Sequence, residues 1–160
     1  MLRYGLMAAG IGFCVAVSGP AFANGYGSPI PPSMGDNTGP MGKALAAIAV
    51  KDWSGAIALL NEVAAGDPKN ADVQNLLGYS YRMRGEYAQA FLYYGKALAI
   101  DPSHKGALEY EGEAYLETNQ LPKAAANLSA LKAACGAEAC PEIAMLDDAI
   151  NRYKAKAKIN

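Results

Sequence analysis

The sequence repeats itself at an interval of 34 residues, and this period constrains the fold more than any other feature. The matching positions are Ala56, Ala90 and Ala124; Trp53, Tyr87 and Leu121; Ala47, Tyr81 and Tyr115; and the dipeptides Asp67-Pro68 and Asp101-Pro102. A fixed period of this length is typical of arrays of helix–turn–helix units, in which no unit can bury its apolar face alone. We therefore expect an all-α stack of helix hairpins.

The clearest unit runs from residue 71 to residue 104. Its first half places Leu77, Gly78 and Tyr81 on one helix face, and Gly85 should end that helix. Its second half repeats the helical spacing with Tyr87, Ala90, Tyr94, Ala97 and Leu98. The following Asp101-Pro102 should end the second helix, because proline cannot continue the hydrogen-bond ladder. We expect the helices to cross at Gly78 and Ala90, with Tyr81 and Tyr94 filling the remaining space.

These positions resemble the tetratricopeptide repeat family. The unit matches the family pattern with Leu77, Gly78, Tyr81, Ala90, Tyr94, Ala97 and Pro102, and departs from it at Gln74. The resemblance implies a right-handed α-solenoid of three helix hairpins within residues 41–138, with repeats at about 37–70, 71–104 and 105–138. The outer two repeats are degenerate: Lys43 and Glu111 occupy leucine positions, and Gly136 replaces the closing proline.

A last helix is predicted within residues 139–160, followed by a basic tail. Pro141 suits a first helical position, and the apolar stripe consists of Ile143, Leu146, Ile150 and Tyr153. We interpret it as a capping helix that covers the open end of the stack. An amphipathic helix for a membrane or a partner protein is the alternative.

The first 23 residues have the pattern of a secretory signal peptide. Arg3 provides the positive charge, an apolar stretch follows, and Ala21-Phe22-Ala23 provides the small residues that precede cleavage. The apolar stretch is too short to span a bilayer, although an uncleaved anchor is the alternative. Residues 24–40 are rich in Gly and Pro and should form a flexible linker. We expect a periplasmic or secreted protein with no membrane span after signal removal; the family resemblance favours the bacterial periplasm.

Charge and motif content exclude several classes of function. The whole chain has 14 basic and 15 acidic residues, so no basic patch indicates a nucleic-acid partner. His104, the only histidine, follows Asp101-Pro102-Ser103; a general base is conceivable, but a solvated loop residue is favoured. No nucleophile, phosphate-binding or metal-ligand motif accompanies it. We therefore predict no enzyme activity, no catalytic residue, no metal and no cofactor.

Cys135 and Cys140 lie in the turn before the last helix. In an exported protein an even pair favours a disulfide, which would hold the cap on the stack. A redox-active pair has less support because the spacing differs from that of thioredoxin-like motifs. A metal site would need further ligands.

The remaining candidate site is the concave groove that the family resemblance implies. By family position, its contact residues would be Asp72, Asn75, Tyr79, Arg82, Met83, Glu109, Glu113, Leu116 and Glu117, together with Gly106. The three glutamates share one helix face, where like charges repel, so they form either a solvated face with Arg82 paired to Glu113 or an acidic wall for a basic or polar segment. Met41 and Leu45 occupy the positions of the Lys and Asn with which some family members clamp a terminal carboxylate, so that clamp is absent.

These observations favour an exported scaffold or adaptor that binds a segment of a protein in its groove. A structural subunit of an envelope assembly machine, of the pilus or secretion type, is one alternative. A thiol–disulfide helper that uses Cys135 and Cys140 is the other. Both alternatives remain open from the sequence.

Overall fold

The computed structural model describes residues 38–137 and 140–157, and these residues form seven α-helices without a strand. The helices are α1 (Pro40–Ala49), α2 (Trp53–Gly66), α3 (Ala71–Met83), α4 (Tyr87–Ile100), α5 (Lys105–Glu117), α6 (Leu121–Cys135) and α7 (Pro141–Ala157). The predicted all-α fold is confirmed. The predicted signal peptide and almost all of the predicted linker lie outside the described residues.

The helices form three antiparallel hairpins and one further helix. α1 pairs with α2, α3 with α4, and α5 with α6, while α3 and α5 also pack on the second helix of the preceding hairpin. The first helices approach one another as well, since α3 contacts α5 and α5 contacts α7. Within the described residues, the second helices pack mainly on neighbouring first helices, although Tyr93 of α4 also donates a hydrogen bond to Asn61 of α2 at 3.5 Å. We call α3, α5 and α7 the inner row, because such packing places them on the inner side of a curved stack.

The turn inside each hairpin uses the same backbone conformation at the same repeat position. Lys51, Gly85 and Asn119 are 34 residues apart and have φ values of 61°, 79° and 60°. The next residue in each turn donates its N–H to a carbonyl five positions earlier, as Glu86 does to Tyr81 at 2.9 Å. This left-handed ending favours glycine, so only the second hairpin has the preferred residue.

Replacing Lys51 with glycine should therefore stabilise the protein by about 0.5–1 kcal/mol, because a side chain in the left-handed region is strained. Urea unfolding measures the change. Lys51→Ala is the control, since it removes the lysine side chain but keeps the strained Cβ, and it should give no gain. An equal gain from both variants would contradict the assignment of strain to this turn.

Side chains that accept hydrogen bonds from the first turn cap the starts of α2, α3 and α5. Asn70 Oδ1 accepts from the Val73 N–H at 3.1 Å, and the equivalent His104 Nδ1 accepts from the Ala107 N–H at 3.1 Å. His104 Nε2 also lies 3.0 Å from the Asp72 carboxylate of the preceding repeat. The solvated-loop interpretation of His104 was therefore incomplete: the residue lies in the loop, but it caps α5 and links two repeats.

Close helix contacts occur where the sequence has small residues. A Cβ at Gly78 would lie 2.5 Å from the ring of Tyr94, which is fully buried, so α4 approaches Gly78 closely through Tyr94; the crossing of Gly78 with Ala90 stays a prediction. A Cβ at Gly112, the equivalent residue in the third repeat, would lie 2.7 Å from Leu146 of α7. The absence of a side chain at Gly112 therefore lets α7 pack closely on α5.

The buried side of α7 is the apolar stripe that the sequence predicts. Leu146 and Ile150 are buried, and Ile143 and Tyr153 pack against the same core cluster as Leu131. Asp147, Asp148, Asn151 and Arg152 are exposed on the other side. One apolar side and one exposed polar side are expected for a helix that ends a stack. None of the described helices has the length and hydropathy needed to cross a bilayer.

The unfavourable Glu111 in a leucine position is compensated by its neighbour in α6. The Asn127 side-chain amide donates to Glu111 Oε2 at 2.9 Å and to the Leu108 carbonyl at 3.1 Å. Burial raises the pKa of Glu111, while Asn127 counteracts that shift. A polar pair thus replaces an apolar contact in the third hairpin.

Candidate functional site

The nine predicted groove residues form a buried floor and an exposed rim on the inner row. The floor contains Asn75, Tyr79, Arg82, Glu109, Glu113 and Leu116, all of which are buried, whereas Asp72, Met83 and Glu117 are exposed. The sequence therefore placed these residues on one surface but did not show that most of them pack against one another. Their predicted role in binding a partner stays a prediction.

Arg82 organises the centre of this floor. Its guanidinium lies 2.7 Å from Glu113 Oε2 and 3.2 Å from Glu117 Oε2, so one cation on α3 holds two carboxylates of α5. The same group donates to the Tyr110 carbonyl at 3.5 Å. The pairing of Arg82 with Glu113 that the sequence suggested is present. It explains why like charges one turn apart are tolerated on α5.

The ion network affects the pKa values of Arg82 and Glu117. Burial would lower the pKa of Arg82, but interactions with Tyr94, Glu113 and Glu117 hold it above its ordinary value. Burial raises the pKa of Glu117, Arg82 lowers it, and Glu113 raises it again. Arg82 is therefore a permanent positive charge at the floor, and it is already occupied by its two acidic neighbours.

Aromatic rings continue the floor toward the first repeat. Tyr79 contacts Trp53 of α2 edge to face, with ring centroids 5.9 Å apart, and Tyr110 of α5 at 5.1 Å. The Arg82 guanidinium lies about 6 Å from both tyrosine rings. The three hairpins are thus linked along the inner row by aromatic and cation–π contacts.

Glu109 lies one turn before Glu113 and has a different environment. Only 2% of its surface is exposed, and its carboxylate makes no hydrogen bond or ion pair with the residues that the structure describes. Burial is the largest cause that raises its pKa to about 8, and Glu113 adds to the rise while Arg82 opposes it. Glu142 of α7 also raises it. Glu109 is thus an acidic group without a counter-ion.

An open cleft of about 510 Å³ lies between the C-terminal halves of α5 and α7. It is lined by Glu113, Leu116, Glu117, Asn119, Ala149, Arg152, Tyr153, Lys156 and Ala157. Three of these residues were predicted groove residues, and the five on α7 were missed because the sequence assigned that helix to capping alone. The missed signal is the helical spacing of Ala149, Arg152, Tyr153 and Lys156, which places them on one face.

The two cysteines lie where α6 ends and α7 begins. Cys135 and Cys140 are both buried, their Cα atoms are 6.1 Å apart, and their sulfur atoms lie within bonding distance. This separation suits a disulfide. Oxidation of the pair in the cell stays a prediction. Among residues 38–137 and 140–157, no cluster of three His, Cys, Asp or Glu side chains could hold a metal ion.

Comparison with known proteins identifies a family match for one helix hairpin. The tetratricopeptide repeat family matches residues 71–104, the unit that the sequence analysis singled out. No curated protein matches over the chain. Residues 71–104 thus match the tetratricopeptide repeat family, and they lie between two further helix hairpins of the described chain.

Solved structures share the fold at low sequence identity. The type III secretion translocator chaperone SycD of Yersinia enterocolitica is 14% identical, with a TM-score of 0.66 over 74% of this chain and 83% of that one. The Sgt2 tetratricopeptide domain of Aspergillus fumigatus is 20% identical, with a TM-score of 0.65 over 74% and 77%. PcrH, solved with the chaperone-binding region of PopD, is 17% identical, with a TM-score of 0.63 over 71% and 87%. At such identities the likeness shows the fold alone.

Proposed function

We propose that this protein is a non-enzymatic scaffold that binds a segment of another protein along its inner row. The observation that carries the proposal is the open cleft between α5 and α7, which continues the polar and aromatic floor of α3 and α5. Concave sites lined by apolar surface with a few placed polar groups are typical of binding sites. Leu116 and Tyr153 provide the apolar contact, and Glu117 provides exposed charge.

The similar structures support this assignment by what their names state. PcrH was solved with the chaperone-binding region of PopD, and SycD is named a translocator chaperone. These proteins have the same arrangement of helices as this chain. We infer that this chain also binds a segment of a protein, with a different partner.

The charge of the site favours a basic or polar segment. At the centre of the inner row, Arg82 faces the two carboxylates of Glu113 and Glu117, so an approaching cation meets a net negative charge. Glu109 is a further acidic residue beside them. Arg152 and Lys156 lie at the opposite wall of the cleft, and Arg152 is paired with Asp148. The negative wall is thus on α5, and a bound basic side chain would face that helix.

We further propose that the protein acts outside the cytoplasm. The proposal is supported by the signal-peptide pattern that ends at Ala23 and by the two cysteines that lie within bonding distance. N-terminal sequencing of the protein recovered from its native cells tests it. A start at Asn24 is expected, and a start at Met1 would contradict export through this signal.

The binding proposal is tested by measuring how much native partner is captured by the wild-type protein and by two matched variants. Ala149→Arg fills the cleft and adds charge, so it should abolish capture, whereas Leu92→Arg on the exposed face of α4 should leave capture unchanged. Capture by the wild-type protein should also weaken between about 50 mM and 500 mM salt, because exposed charges are screened. The opposite variant pattern would favour the structural-subunit alternative, with contacts through the outer face.

The thiol–disulfide alternative has less structural support. Cys135 is 4% exposed and Cys140 is 9% exposed, so a partner disulfide could not reach either sulfur without local opening. Catalytic cysteines are partially exposed in electropositive surroundings. The pair is better placed to hold α7 against α6.

A further inference from the structure

Glu109 of α5 is a buried acidic residue that forms no hydrogen bond or ion pair with the other residues that the structure describes. A buried carboxylate is costly unless it is paired or protonated. Such a group is not expected from packing alone, because leucine or glutamine at this position would be more stable.

The neighbouring charges do not supply the missing cation. Arg82 is committed to Glu113 and Glu117 at 2.7 Å and 3.2 Å. The other charged residues that act on Glu109 are Glu113 of α5 and Glu142 of α7, and both are negative. The surroundings of Glu109 therefore have a net negative charge.

A second acceptor on the same surface also lacks a partner. Asn75 of α3 is 5% exposed, and its side-chain oxygen Oδ1 is buried without a hydrogen bond. The Asn75 side chain faces the first turn of α5, with its nitrogen 3.1 Å from the position of a Cβ at Gly106. Glu109 lies three residues after Gly106 and so on the same helix face. The unsatisfied Asn75 oxygen on α3 and the Glu109 carboxyl group on α5 thus lie on facing helices, within about one turn of Gly106.

We propose that Asn75 and Glu109 form a subsite for one cationic side chain, a lysine or arginine, of the bound protein segment. The inference rests on the proposed function, since it specifies what the inner row recognises. An ammonium or guanidinium group has donors only, so it complements an amide oxygen and a carboxylate together. The long apolar stem of either side chain can cross the rim and bring the charge to the buried floor.

The subsite can be tested without knowing the partner. The probe is Nα-acetyl-lysine amide, titrated into the protein and followed by the backbone amide signals of Asn75 and Glu109 in NMR spectra. Nα-acetyl-norleucine amide has the same stem without the charge and serves as the comparison. The lysine probe should shift both signals and the norleucine probe should not. Equal shifts, or no shifts at these residues, would overturn the subsite.

A second experiment uses the variant Glu109→Gln. Its control is Glu62→Gln, which removes the same charge from an exposed position of α2. Glu109→Gln should weaken binding of the lysine probe about tenfold, because it removes a charge-assisted hydrogen bond. It should also raise the melting temperature by about 3 °C, because an unpaired buried acid is lost. Glu62→Gln should change neither. If Glu109→Gln lowered the melting temperature and left probe binding unchanged, Glu109 would have a structural role and the proposal would be contradicted.

The two proposals fail in distinguishable ways. If the native partner is captured equally by wild-type protein and Glu109→Gln, and the lysine probe does not bind, the scaffold function stands and the subsite fails. If the probe binds through Glu109 but no protein is captured through the cleft, the subsite stands and the scaffold function fails.

Discussion

Replacing Arg82 with methionine should destabilise the protein by about 3–5 kcal/mol, since the guanidinium neutralises two acids at the centre of the inner row. Its side chain is 1% exposed, and that of Glu113, its nearer partner, is 7% exposed. Loss of the cation leaves Glu113 buried without a counter-ion and removes the contact between α3 and the end of α5. Urea unfolding followed by circular dichroism measures the change.

Arg84→Met is the matched control for this prediction. Arg84 lies two residues further on and pairs with Glu86 at 2.7 Å, but both side chains are more than a third exposed. Exposed pairs contribute about 0–1 kcal/mol, so this variant should be nearly neutral. Adding Glu113→Gln to Arg82→Met should recover part of the loss. Similar losses from Arg82→Met and Arg84→Met would contradict the central role of Arg82.

Replacing Leu146 with alanine should cost about 2–5 kcal/mol, because the side chain is fully buried where α7 crosses α5. The loss of stability should be concentrated in α7 and in the hairpin of α5 and α6 on which it packs. Native-state hydrogen exchange should show α7 opening more readily than α3 and α4 in this variant. Uniform loss of protection across all hairpins would contradict a local docking role.

A double-mutant cycle with Gly112 gives this prediction its control. A Cβ at Gly112 would lie 2.7 Å from the Leu146 methyl groups, so Gly112→Ala alone should destabilise by about 1–3 kcal/mol through overpacking. Combined with Leu146→Ala, the added methyl group enters the vacated space. The double variant should therefore be more stable than the sum of the single effects predicts. Simple additivity would show that the two residues do not determine this crossing.

The hairpin architecture was predictable because its determinants are local and recur. Gly78 predicted a close helix approach, and Gly85 predicted the end of α3; both are confirmed by the contact with Tyr94 and the positive φ. The apolar stripe of α7 was also visible, because a helix that packs on one side keeps its apolar residues at helical spacing. Such patterns need no knowledge of distant contacts.

The candidate site was only partly predictable, because it depends on how separate helices meet. The family positions identified Asn75, Glu109 and Arg82, and the sequence suggested the pairing of Arg82 with Glu113. No local pattern shows that Arg82 also pairs with Glu117 and does not pair with Glu109. The contribution of α7 to the cleft was missed for the same reason. His104 was misjudged because imidazole is not among the usual capping side chains.

The most direct test of a binding inner row is photo-crosslinking from two positions in native cells. A crosslinking residue at Tyr153 lies in the cleft, whereas one at Leu92 lies on the exposed face of α4. The account predicts that Tyr153 yields one defined adduct with a protein segment that contains lysine or arginine, and that Leu92 yields none. A defined adduct from Leu92 with none from Tyr153 would contradict it.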